Sequence, residues 1–211
     1  MLLGKFQQTV VINKERYKLK EDSYYQEKHN KGLIIIGNTL NSGMNHYDTW
    51  SKKINGKYKK TAMYTVTLNG EIYEHFNPMY YSDYLGTEKF DKKSITIVLE
   101  NEGWLTKDFE HDFYINWSGE KYEREDKIIE KSWRGRLRWA PYKIKQMDAL
   151  TFLCDKLIEK FDLDRFVSPN NVKLNEFTKK KGIYYRSNYL KTSLDVSPAF
   201  NIKYLKENIE E

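Results

Sequence analysis

Apolar residues in this chain come in short runs whose spacing predicts alternating strands and helices. Leu33-Ile34-Ile35-Ile36 is an unbroken apolar run, as expected of a strand buried on both faces. Residues 94–99, Ser-Ile-Thr-Ile-Val-Leu, predict a second central strand. Residues 63–68 and 72–76 flank Asn69-Gly70, which predicts a hairpin closed by a type I′ turn. From Gln146 to Phe161, Met147, Leu150, Leu153, Leu157, Ile158 and Phe161 recur at the spacing of an amphipathic helix. Cys154 falls on that apolar stripe, which makes it a small core residue rather than a nucleophile. Residues 47–54 predict an earlier helix, with Asp48, Trp50 and Ser51 near its start. At the N-terminus, residues 9–13 and 16–20 read as two short strands around Lys14-Glu15, a hairpin within a segment 1–31 added to the core. Residues 102–142 are too long for a simple connection and carry Trp104, Trp117, Trp133 and Trp139, so this segment is expected to hold structure or function of its own.

Composition narrows the class. At 211 residues the chain fits one domain and is long enough to bury a core without disulfide staples. One cysteine excludes an internal disulfide framework. The opening Met1-Leu2-Leu3-Gly4-Lys5-Phe6 lacks the roughly 7–15 apolar residues of a secretory signal, so a product cytoplasmic as synthesised is expected, with virion association as the alternative. No stretch approaches the roughly 20 apolar residues of a membrane span. The net charge is +6, with lysine clusters at 52–53, 57–60 and 179–181, but 36 basic residues are interleaved with 30 acidic ones. No nucleic-acid motif accompanies them, so the clusters read as solvated surface and no nucleic-acid partner is expected.

A family resemblance emerges from ordered pieces spanning about residues 32 to 204. They are Leu33-Ile34-Ile35-Ile36-Gly37-Asn38-Thr39, Thr61-Ala62-Met63-Tyr64, Leu68-Asn69-Gly70-Glu71-Ile72-Tyr73, Ser82-Asp83-Tyr84-Leu85-Gly86, Ser94-Ile95-Thr96-Ile97-Val98-Leu99-Glu100-Asn101, Arg186-Ser187-Asn188 and Asp195-Val196-Ser197-Pro198-Ala199-Phe200. In order and spacing they resemble the type-2 N-acetylmuramoyl-L-alanine amidases and the peptidoglycan recognition proteins. The resemblance implies an α/β fold, a central mixed β-sheet flanked by helices, over residues 32–211, with the Trp-rich segment at about 102–142 as an insertion that covers part of a groove.

It also implies a zinc site, and there the sequence departs from the pattern. A hydrolytic zinc needs about three protein ligands and an open position for water. In the family these are a His ending the first strand, a second His near the C-terminus and an Asp or Cys about ten residues later. The first falls on Gly37, which has no side chain; the second falls on Arg186, or on Tyr185 after a one-residue slip; only Asp195 is kept. Arginine is permanently cationic, tyrosine ionises only near pH 10, and a single carboxylate holds zinc poorly. The family's general-base glutamate falls on Val98, and the lysine assigned to oxyanion stabilisation falls on Ser193. Zinc, the expected cofactor, is therefore predicted absent, and Arg186 is expected to pair with Asp195 in a bidentate contact. Of His29, His46, His75 and His111 no two share a metal-binding spacing; a relocated site from His46, Asp48 and Asp195 is the alternative. Ser187 and Ser193 lie in no nucleophile motif.

What remains is a groove expected to be lined by Asn38, Met63, Tyr64, Tyr84, Glu100, Trp104 and Arg186. Three functions follow. One is a catalytically inactive amidase-like domain that binds peptidoglycan fragments or a protein partner. The second is a structural or virion-associated protein, with oligomerisation possible. The third is an active N-acetylmuramoyl-L-alanine amidase with an unrecognised metal site.

Overall fold

The computed structural model describes residues 10–52, 59–169 and 180–210. The lysine clusters around residues 53, 57 and 179 and the end of the first predicted helix lie at least partly outside them, as does Thr9.

Strands β1 (Ile12–Asn13), β2 (Leu33–Asn38), β3 (Tyr64–Val66), β4 (Ile72–Glu74), β5 (Ser94–Leu99) and β10 (Gly182–Tyr185) form one sheet in the order β1-β4-β3-β5-β2-β10. All neighbours run parallel except the β3/β4 hairpin, so the sheet is mixed. The apolar run of β2 is buried on both faces. Ile34 and Ile36 join the main core with Leu150, Leu153, Cys154 and Leu157 of helix α3 (Ile144–Phe161). Leu33 and Ile35 join a second cluster on the opposite face with Tyr84, Val98 and Tyr184. Helix α5 (Ile202–Ile209) covers the α3 side with Leu205 and Ile209. Helices α1 (Asn45–Ser51), α2 (Glu88–Lys93) and α4 (Arg186–Tyr189) complete the set. The α/β architecture, a central mixed sheet flanked by helices, is the one anticipated.

Two local expectations are corrected. The first is the hairpin of residues 1–31. Residues 16–20 form no strand; β1 instead pairs parallel with β4 and joins the main sheet at its edge. The Asn13 side chain accepts from the backbone N–H groups of Glu15 and Arg16, and Tyr17 adopts a left-handed φ of 62°, so the chain turns away before a return strand can form. Leu19 then plugs into the core, its N–H donating to the His75 carbonyl. The second is the turn at Asn69-Gly70. Only Gly70 has positive φ (86°), Gly70 N–H donates to the Thr67 carbonyl, and Thr67 N–H donates to that of Glu71. This is a type I turn followed by a glycine bulge, the three-residue alternative to type I′.

Residues 104–139 build a second sheet from β6 (Trp104–Asp108), β7 (Phe113–Ile115), β8 (Ile129–Trp133) and β9 (Arg136–Trp139), antiparallel in the order β7-β6-β9-β8. It has a small core of its own, Leu105, Tyr122 and Ala140, with Tyr114 and Ile128 packed against it. Contacts fasten it to the loop after β2 and to α4 and the loop that follows: Trp117 donates its indole N–H to the Leu40 carbonyl, and Arg134, at the tip of the β8–β9 turn, donates to the carbonyls of Ser187, Leu190 and Ser193.

Candidate functional site

Strand register places the key positions side by side. Thr65, Val98 and Gly37 are consecutive partners across β3, β5 and β2 and share one face of the sheet, the face on which Leu33, Ile35 and Tyr184 are buried. Arg186 follows Tyr184 by two residues, so the first turn of α4 projects its side chain toward the same face. Tyr185 points the other way, into the main core against Phe200. Arg186 is therefore the residue beside Asp195.

Around Gly37 three side chains converge. An ideal Cβ on Gly37 would lie 2.1 Å from the Tyr84 hydroxyl and 3.2 Å from Asp195 Oδ2. The Arg186 guanidinium lies over the Tyr84 ring at 4.9 Å, and its Nη1 reaches Asp195 Oδ2 at 3.3 Å. The contact is single, not the bidentate fork expected, and Arg186 Nε and Asp195 Oδ1 are buried without a hydrogen-bond partner. Burial pushes the Asp195 carboxyl above its ordinary range, and the Arg186 charge offsets part of that rise. Burial also raises the Tyr84 phenol, so it stays protonated. Ser193 Oγ accepts the Asp195 backbone N–H at 3.2 Å.

This set does not fit a zinc ion. Gly37 offers no side chain, the space beside it is occupied by a protonated phenol, and the Asp195 carboxylate already faces a permanent cation. Among the described residues no group of three or more His, Cys, Asp or Glu side chains is placed to hold a metal. His46 instead bonds to Thr65: its Nε2 lies 2.8 Å from Thr65 Oγ1, which lies 2.7 Å from His75 Nε2, while His75 Nδ1 meets the Tyr17 carbonyl at 2.7 Å. Burial lowers His46 to about 3 and His75 to about 4, so both rings are neutral members of a buried relay.

The predicted groove residues divide. Trp104, Leu40, Arg186, Leu190, Ser193 and Asp195 line a pocket of about 240 Å³ beside the sheet. Arg136 stacks over the Trp104 ring at 4.8 Å, so the insertion supplies one wall. Tyr84 is buried beneath Arg186 and does not itself line the pocket. Asn38 is buried, accepting from the Tyr142 hydroxyl at 2.8 Å. Met63 and Tyr64 are not groove residues: both sit in the main core, and Tyr64 donates to Glu74 at 2.9 Å. Glu100 is not at the rim either. Its two oxygens accept the backbone N–H groups of Gly43 at 2.6 Å and Leu68 at 2.9 Å, fastening the loops that follow β2 and β3. Sequence reading gave no groove role to Leu40, Leu190 or Arg134, because their approach to the site is set by loop packing.

The fold defined by this sheet and its helices is that of the N-acetylmuramoyl-L-alanine amidases. Among solved structures the chain is similar to the amidase LysC from Clostridium intestinale, with a TM-score of 0.56 at 11% identity over 96% of this chain and 99% of that one. It is similar to the Ph2119 endolysin from a Thermus scotoductus bacteriophage, with a TM-score of 0.53 at 12% identity over 94% and 98%. It also resembles AmiD from E. coli, solved with anhydro-N-acetylmuramic acid-L-Ala-D-gamma-Glu-L-Lys, with a TM-score of 0.53 at 16% identity over 87% of this chain and 59% of that one. At such identities the shared property is the fold. No protein-family profile and no curated protein matches the sequence. Among the described residues no helix is long and apolar enough to cross a membrane.

Proposed function

We propose that this chain is an amidase-fold protein without hydrolytic activity that binds a peptidoglycan fragment in the pocket floored by Arg186. One observation carries the reading: Tyr84, Arg186 and Asp195 fill the place around Gly37 where a metal and its water would have to sit. The Arg186 side chain is 30% exposed and lines the pocket, while Asp195 holds it from one side. Its outer edge suits a ligand carboxylate, which a guanidinium recognises through paired N–H donors. Trp104 and Leu40 offer apolar surface beside it. The AmiD structure supports the ligand class, since its substrate joins a sugar to a short peptide bearing carboxylates.

The test combines three measurements on the purified protein. Calorimetric titration with anhydro-N-acetylmuramic acid-L-Ala-D-γ-Glu-L-Lys is expected to give binding that Arg186→Gln weakens. Incubation with excess zinc and dialysis is expected to leave no stoichiometric metal, and purified peptidoglycan is expected to stay intact. Retention of about one zinc per chain together with release of stem peptide would establish an active amidase instead.

A second reading, a structural or virion-associated role through a protein partner, is supported by the insertion, where Phe109 is 82%, Trp117 50% and Leu137 48% exposed. Light scattering of the purified chain distinguishes it: an oligomer lost on Phe109→Ser or Leu137→Ser would favour assembly over ligand binding.

A further inference from the structure

The insertion holds a larger cleft than the one beside Arg186, and the two share no lining residue. It is an open cleft of about 700 Å³ between β7, the segment that follows it and β8. Phe113, Tyr114 and Tyr122 line it together with Arg124, Asp126 and Glu130. Pockets of this size hold ligands of a few rings.

The polar groups say what kind of ligand. Arg124 is fixed in place: Nε and Nη2 reach Asp126 Oδ2 at 2.8 and 2.7 Å, and Nη2 also donates to the Pro141 carbonyl at 2.8 Å. Glu130 is paired with Arg138 at 2.7 Å. The charges in the walls are thus matched within the protein, leaving Lys127 exposed at the rim, so the cleft does not select an ion. Two carboxylates facing it disfavour a phosphate or a nucleic-acid strand. Two buried polar groups lack partners: Arg124 Nη1 and the hydroxyl of Tyr122, a residue only 7% exposed. Burial raises that phenol to about 12, so it remains a donor. Unpaired buried donors are costly; both atoms are closed to solvent here, so a ligand oxygen removes that cost once the wall formed by Arg124 and Tyr122 opens to it.

We propose that this cleft is a binding site for an uncharged oligosaccharide. Aromatic rings match the apolar C–H faces of sugars, and the donors of Arg124 and Tyr122 match hydroxyl or acetamido oxygens. The carboxylates of Asp126 and Glu130 accept from sugar hydroxyls while keeping their arginine partners. The site is independent of the pocket beside Arg186 and of any ligand bound there.

The test is a titration of the isotope-labelled chain followed by amide NMR shifts, with N-acetylglucosamine tetramer and cellotetraose as separate probes. At least one probe is expected to shift residues 113–130 and to leave those around Arg186 and Ser193 in place. Tyr122→Phe keeps the ring and removes only the hydroxyl, and is expected to weaken that binding about fivefold. Tyr114→Ala is expected to weaken it by about tenfold or more. No shift with either probe at about 10 mM, shifts confined to the Arg186 pocket, or an affinity unmoved by both variants would overturn the proposal. Because Tyr122→Phe preserves packing, loss of the insertion's fold in Tyr114→Ala leaves the test intact.

Discussion

The Tyr84 hydroxyl occupies the space into which a side chain on Gly37 would grow, 2.1 Å from where a Cβ would sit. Tyr84 is buried under Arg186 and has little room to withdraw. Gly37→Ala is therefore expected to destabilise the fold by about 1–3 kcal/mol, the range for overpacking. Adding Tyr84→Phe, which deletes only the clashing oxygen, is expected to recover most of that loss. Urea melts of the two single variants and the double variant measure the coupling; strict additivity would show that the two residues do not compete for space.

Removing Arg186 leaves Asp195 buried without its partner. Arg186→Met is expected to cost about 2–4 kcal/mol at pH 7. The penalty is expected to shrink toward pH 4, because the Asp195 carboxyl, already raised by burial, then takes up a proton and becomes neutral. A raised folded pKa means the native state binds more protons than the unfolded one just above pH 4, so stability falls as pH rises through that window. A penalty independent of pH would show that the Asp195 carboxyl does not titrate between pH 4 and pH 7.

The relay of His46, Thr65 and His75 makes the opposite prediction. Both imidazoles are held below their ordinary range, to about 3 and about 4. The unfolded chain therefore binds protons that the native chain refuses, and stability is lost as pH falls below about 6.5. From His75 alone the loss by pH 4 is expected to reach roughly 3 kcal/mol. Urea midpoints between pH 4 and pH 7 measure it, and His75→Gln is expected to flatten the profile.

Glu100 fastens two loops by accepting from Gly43 and Leu68. Glu100→Ala leaves both N–H groups without that partner and is expected to cost about 2 kcal/mol. Amide hydrogen exchange at Gly43 and Leu68 is expected to accelerate, while exchange in β2 and β5 is expected to change far less. Unchanged protection at both amides would exclude the fastening role.

Arg134 joins the insertion to one carbonyl of α4, that of Ser187, and to two, those of Leu190 and Ser193, in the loop that leads to Asp195. Arg134→Ala is expected to speed exchange across residues 187–193 and to weaken any ligand of the Arg186 pocket, with the melting temperature lowered by only a few degrees, about 1 kcal/mol. Equal exchange in variant and parent would show that the loop holds itself.

Much of the fold was legible because it rests on local periodicity. The runs at 33–36 and 94–99 lie within β2 and β5, and the stripe from Gln146 to Phe161 became α3. Motif order also singled out Gly37, Arg186 and Asp195, which the structure brings together beside Tyr84. The roles of Met63, Tyr64 and Glu100 were misread, since alignment gives neighbourhood along the chain and says nothing of which face a side chain takes.

The sequence by itself determined the layers of the fold and the chemical identity of the side chains at positions 37, 98, 186, 193 and 195, because apolar period and residue type are properties of short segments. Only the tertiary structure decided that Tyr84 fills the space beside Gly37, that Arg186 meets Asp195 through one contact, and that Arg124 and Tyr122 share a cleft with rings from β7. Those relations join residues distant along the chain, and they are set by strand register and loop packing, which no local pattern encodes.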